Sequence, residues 1–278
     1  MSQGECGSCR RSIDGDAQKF CPQCGQPTPA HRVDWQFLSH EIQHGIFHVD
    51  KGILFTVKHL LTRPGDMIRE YLDGNRAGHF KPVLLVMILG AAAAIVGRLV
   101  RTGERSVSQA WSGLYDGATD AGRSSDMSAS DARIIEVMKS AFEWISGHVP
   151  LVLIMLVPVF DLAMRAAFHS YRARATYPEW LVISCFMVAQ ALLAYIIFAV
   201  IGRFLPVLGN LDFLAMMALQ AWASVRIFSG RRWYAVMSRF LTGYALYMVM
   251  FAALVIALSI AGLVAANGWD AFMEQVRQ

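Results

Sequence analysis

Five apolar stretches, each about 20 residues long, leave this chain few structures to choose from, because that length matches a hydrocarbon core about 30 Å thick. They run approximately Pro82–Val100, Val149–Phe168, Trp180–Ile201, Leu205–Ile227 and Phe240–Ala265. Inside a bilayer no water satisfies the peptide groups, so each must be helical. Gly209, Asn210 and Asp212 interrupt the start of the fourth. With 55% hydrophobic and 17% charged residues and a mean hydropathy of +0.39, the chain is too apolar for an ordinary soluble domain. The expected fold class is an all-α integral membrane protein. Its five transmembrane helices would form a bundle over 82–278, with an outward-facing loop at 102–147.

The formal charge of +4 would be a weak argument for a nucleic-acid partner. In a membrane protein, though, Lys and Arg first act as topology signals. Arg165 and His169-Ser-Tyr-Arg-Ala-Arg174 separate spans two and three, and Arg226, Arg231, Arg232 and Arg239 separate spans four and five. The connection at Gly202–Arg203 and the tail Trp269–Gln278 are poor in positive charge. The expected topology is a cytosolic amino terminus and a periplasmic carboxyl terminus. The first span begins only at Pro82, so no cleavable signal peptide is expected. In the outward segment, Ile134, Ile135, Met138, Phe142 and Ile145 follow helical spacing after a Gly/Ser-rich stretch.

Two short knuckles precede the spans, Cys6-Gly-Ser-Cys9 and Cys21-Pro-Gln-Cys24-Gly25. Paired C-x-x-C elements with a short connection match a structural Zn²⁺ site of four thiolates; a cytosolic location disfavours disulfides, and a rubredoxin-like iron site is the other reading of the same four ligands. Residues 1–30 are therefore expected to form a zinc ribbon with Cys6, Cys9, Cys21 and Cys24 as ligands. Four protein ligands leave no open position for a substrate, so the site would be structural. Cys185, inside the third span, is a small packing residue.

Residues 31–81 join ribbon to membrane and read as cytosolic or interfacial amphipathic helices. Trp35, Leu38, Ile42, Ile46, Val49 and Ile53 share one helical face, while His40, His44 and His48 share another. Further short helices are expected through Leu54–Leu61 and Met67–Leu72, separated at Arg63-Pro64-Gly65. Lys51, Lys58, Arg63 and Arg69 suit the cytoplasmic headgroup layer. His40-Glu41-Ile42-Gln43-His44 also spells H-E-x-x-H, in which two histidines bind zinc and the glutamate activates water. A pattern with three defined positions recurs readily by chance in a histidine-rich segment. The plainer reading is that the stripe faces solvent or headgroups; a metal or haem held without catalysis is the other alternative.

The ribbon followed by Thr56, Leu60, Pro64-Gly65, Ile68, Tyr71, Gly74, Arg76 and Pro82 resembles the bacterial domain-of-unknown-function family 3667. The resemblance implies a small inner-membrane protein with an amino-terminal zinc ribbon, and it brings no established activity. Asn75 stands where a lysine is expected, and Arg10 where glycine is common.

Within the spans, Asp161 and Arg165 lie one helical turn apart, where an ion pair would lower the cost of both charges. Gln190, Asp212 and Gln220 complete the polar set. Gly90–Ala94 would permit close helix packing, within one chain or in a homo-oligomer. Three functions fit these features. The first is a cytosolic docking or regulatory platform, ribbon plus interfacial helices, meeting a protein partner. The second is a membrane metallopeptidase using His40, Glu41 and His44. The third is transport of a small molecule or lipid through the bundle.

Overall fold

A computed structural model describes residues 5–6, 9, 11–13, 20–26, 33–35, 52–100, 148–171, 176–205 and 211–267. The H-E-x-x-H segment with His40, Glu41, His44 and His48 lies outside the described residues, as do the loop at 102–147 and the tail 268–278. Among the described residues the protein is helical, with one isolated antiparallel bridge between Glu5 and Ser12.

The helices are α1 (Gly52–Thr62), α2 (Pro64–Leu72), α3 (Pro82–Val100), α4 (Val149–Met155), α5 (Val157–Phe168), α6 (Tyr177–Phe204), α7 (Asp212–Ile227) and α8 (Trp233–Asn267). Three contain stretches long and apolar enough to cross a membrane: Pro82–Val100, Tyr177–Phe204 and Trp233–Leu258. The second expected span is not one helix. It breaks at Leu156 into α4 and α5, because Pro158 has no N–H to return to the Ile154 carbonyl and so cannot continue the ladder. The fourth is a shorter helix of 16 residues that starts at Asp212. The third and fifth run past their expected ends, to Tyr177–Phe204 and Trp233–Asn267.

Helix α6 is the hub, packing against α1, α2, α3, α4, α5 and α7. From Val182 to Ala194 every residue is buried, as a helix that is apolar all round requires. By contrast α8 packs on α5 and α7 and leaves Leu241, Val249, Leu254, Ile256 and Leu258 exposed, a face suited to acyl chains.

The amphipathic stretches before the first span do not float free. Met67, Ile68 and Tyr71 of α2 are fully buried, and the Tyr71 ring meets Phe186 of α6 edge-on at 5.3 Å. At Gly65 an added Cβ would lie 2.5 Å from the Ala223 carbonyl oxygen and 2.8 Å from the Ile227 nitrogen of α7. Only glycine allows this approach of backbone to backbone. Asp66 accepts from Arg226 Nη2 at 2.5 Å across the same contact.

One end of the bundle collects the aromatic and basic residues. Phe228 stacks on Phe168 at 4.7 Å and also neighbours Tyr171 and Trp180. There the carbonyls ending α5 lack helical donors, and Arg239 Nη1 donates to Ala167 at 2.8 Å. Arg165, Arg226 and Arg239 lie near the ends of α5, α7 and α8 that meet here, and Arg231 and Arg232 lie in the turn between α7 and α8, while Arg98 and Arg203 lie in the last turns of α3 and α6.

Candidate metal centre and its attachment to the bundle

The cysteine knuckles close as tight backbone turns. Cys6 N–H donates to the Arg11 carbonyl at 2.8 Å, Cys21 N–H to Gln26 at 2.8 Å, and Gly25 N–H to Cys21 at 2.9 Å. Gly25 has φ +71°, a left-handed conformation that glycine takes without steric cost. The turns bring four thiols together. Cys6 and Cys24 Sγ lie 3.6 Å apart, Cys9 and Cys21 Sγ 3.5 Å, and all four sulfurs fall within 4.8 Å of one another. All four cysteines are free of disulfides.

That geometry fits one tetrahedral cation, since bonds of about 2.3 Å to zinc place sulfurs about 3.8 Å apart. Backbone N–H groups of Cys24 and Gln23 draw Cys21 down to about 6. At Cys9 the Arg11 backbone acts in the same direction, but burial and the neighbouring thiols outweigh it and push the group up to about 12. Thiolates at this spacing repel one another, and a cation bound among them would relieve that repulsion.

Just beyond the last cysteine, Gln26 is buried at 2% exposure and spends its amide on the bundle. Its Nε2 donates to the Gly74 carbonyl at 2.7 Å, and its Oε1 accepts from Arg76 N–H at 3.1 Å and Ala77 N–H at 3.0 Å. The clasped turn is itself tied down. Asn75 N–H donates to Glu70 at 2.9 Å, and Phe80 N–H donates to the buried Thr56 hydroxyl of α1 at 2.7 Å. A second tie joins Val33, whose carbonyl accepts from Thr176 Oγ1 at 3.3 Å, and Trp35 stacks on Tyr177 at 5.5 Å. The four-cysteine site is thus fastened to its own helices.

The polar residues singled out within the spans divide. The expected Asp161–Arg165 ion pair is absent among the described residues. Asp161 turns inward instead and accepts from Ser184 Oγ of α6 at 2.9 Å, whereas the Arg165 guanidinium lies 5.6 Å from the Tyr177 ring centroid. Gln190 Nε2 donates to the Leu60 carbonyl at 3.1 Å, and Gln220 Nε2 to the Met187 carbonyl at 2.9 Å. Asp212 and Gln220 line one apolar cavity of about 200 Å³, and neither Asp161 nor Gln190 reaches it. Cys185 is buried within α6, as a packing residue should be.

Sequence reasoning passed over Gln26 and His79. Nothing about a lone glutamine after a cysteine knuckle announces a tertiary role, and His79 looked like one more histidine in a histidine-rich stretch. Its side chain is 3% exposed, with Nε2 3.8 Å from Glu70 Oε2, and it packs beside the Phe55 and Tyr71 rings.

These features define a helical protein with membrane-length spans and a four-cysteine site able to bind a metal ion. Residues 50–93 match the family model described as a protein of unknown function (DUF3667), the family whose motif the sequence resembles. The match takes in α1, α2, the clasped turn and the first part of α3. No curated protein and no solved structure matches the chain.

Proposed function

We infer that this is a five-span bacterial inner-membrane protein with a cytosolic amino terminus. Its zinc ribbon and the α1–α2 hairpin act together as a regulatory and docking platform on the bundle. The short α4–α5 pair and α7 complete the second and fourth passes, and the arginine-rich end of the bundle faces the cytosol. The ribbon presents the surface for a protein partner.

The Gln26 clasp carries this reading. The Gln26 carbonyl belongs to the knuckle turn through its bond with Cys21 N–H, so ordering of the cysteines by Zn²⁺ sets where the Gln26 amide stands. The amide holds the turn 74–77, and that turn leads directly into α3 and is bonded to α2. Metal occupancy or partner binding at the ribbon therefore has a covalent and hydrogen-bonded route to the first span. A metal site of this kind supplies folding free energy to a segment too short for a core of its own.

Hydrogen exchange on the full chain in detergent tests the reading. Zinc removal by a chelator, or Cys21→Ser, is expected to raise exchange at residues 74–80 and in α1. Partner recovery should likewise depend on zinc, with wild type retaining the partner and Cys21→Ser losing it. Unchanged exchange at 74–80 in the metal-free protein, with equal partner recovery by both forms, would sink the proposal.

A further inference from the structure

On the basic end of the bundle, α2 and the α7–α8 turn enclose a polar cavity of about 310 Å³, lined among others by Arg69, Asp73, Tyr171, Ser229 and Arg231. The guanidiniums of Arg69 and Arg231 line it, and that of Arg239 stands over the ring of Tyr171 on its wall. Arg69 Nη1 donates to Ser229 Oγ at 2.5 Å. The Arg231 and Arg239 guanidinium carbons lie 5.1 and 4.3 Å from the centroid of the Tyr171 ring. The ion pairs among the described residues are Arg226–Asp66, Arg63–Glu70 and the close approach of His79 to Glu70. Among the described residues Arg69, Arg231 and Arg239 form no ion pair, and the one carboxylate on the cavity wall is that of Asp73.

Gathering like charges costs free energy unless an anion sits among them. Planar forked donors suit an oxyanion that can accept from more than one guanidinium, and the Tyr171 ring face holds two of those cations in place. On the membrane reading given above, the cavity also stands at the depth of the inner-leaflet headgroups, where phosphate is the abundant anion. We propose that Arg69, Arg231 and Arg239 around Tyr171 form a binding site for a phosphate-bearing anion, open at the cytosolic membrane surface. It is separate from the cysteine site and has no role in holding the metal.

The test is native mass spectrometry of the full chain in detergent, incubated with phosphatidylglycerol or phosphatidylcholine, with inorganic phosphate as competitor. Wild type should retain phosphatidylglycerol in preference to phosphatidylcholine. Arg69→Gln and Arg231→Gln should each lower its occupancy about fivefold, the effect of roughly one charge near an anionic surface. Arg98→Gln, in the last turn of α3, should change nothing. Arg231→Lys should retain most of the occupancy, which separates lost charge from lost fold. Displacement by millimolar inorganic phosphate would assign the site to free phosphate, and resistance to it would assign the site to a lipid headgroup. Equal retention of the two lipids by wild type, or full retention by both glutamine variants, would overturn the proposal.

Discussion

Gln190 in the middle of α6 donates its side-chain amide to the carbonyl of Leu60 in α1, at 3.1 Å. The reason lies four residues beyond Leu60. A helical carbonyl at that position normally accepts from the next turn, but the residue there is Pro64, which has no N–H. Gln190 supplies the missing donor from thirteen residues past Tyr177, about 20 Å along the hub helix. The α1–α2 hairpin is thereby keyed to the bundle at the point where its own hydrogen bonding fails.

Gln190→Leu should therefore destabilise the hairpin by about 1–2 kcal/mol, the cost of leaving a buried carbonyl unmet. In a Pro64→Ala background the N–H is restored, and the same substitution should cost less. Thermal unfolding of the four proteins in detergent gives the coupling directly. Additive effects would mean that the glutamine does not serve this carbonyl.

Gly65 makes a sharper steric prediction. A methyl group there meets the Ala223 carbonyl and Ile227 nitrogen of α7, and backbone cannot rotate away as a side-chain tip can. Gly65→Ala should cost about 1–3 kcal/mol by overpacking and should loosen the Asp66–Arg226 contact. Gly230→Ala, where an added Cβ meets nothing within 4 Å, is the matched control. Equal melting temperatures for the two variants would refute the close approach.

The contrast between these residues shows what could be read in advance. Periodicity places α1 and α2, and Pro64-Gly65 marks the break between them, because local backbone chemistry decides both. The burial of Met67 and Tyr71 against α6 and α7 depends on tertiary packing that an amphipathic pattern shares with a headgroup-facing helix. Hydropathy carries the second span straight through Pro158, since it counts apolar atoms and ignores a missing donor. The spacing of Asp161 and Arg165 suggests a pair, yet Ser184 and Tyr177 offer each side chain a partner on another helix. The cysteine spacing does place four thiols together, as two knuckles can close only a few ways. Gln26 carries no local signal, because its three bonds all reach residues about fifty positions away.

Gln26→Ala should separate metal binding from attachment. The cysteines are untouched, so zinc per chain should stay at the wild-type level, while changing all four cysteines to serine should abolish it. Without the amide, the Gly74 carbonyl and the Arg76 and Ala77 N–H groups lose their partner, and exchange at 74–77 should rise even with metal bound. Loss of zinc in Gln26→Ala would instead show that the ribbon needs the bundle in order to fold.

His79 gives the turn a pH dependence of defined sign. Burial, followed by the nearby charges of His59 and Arg63, lowers its proton affinity to about 4, from an ordinary 6.5. The unfolded chain therefore binds a proton that the folded chain refuses between those two values, and folding stability must fall as pH drops from about 6.5 toward 4. Below that window the contribution stays lost, and above it the contribution is fully present. His79→Phe keeps a ring against Phe55 and Tyr71 and cannot be protonated, so its melting temperature should decline less than wild type between pH 7 and pH 4.5. Parallel melting curves for the two proteins across that range would show that the imidazole is not held neutral in the folded turn.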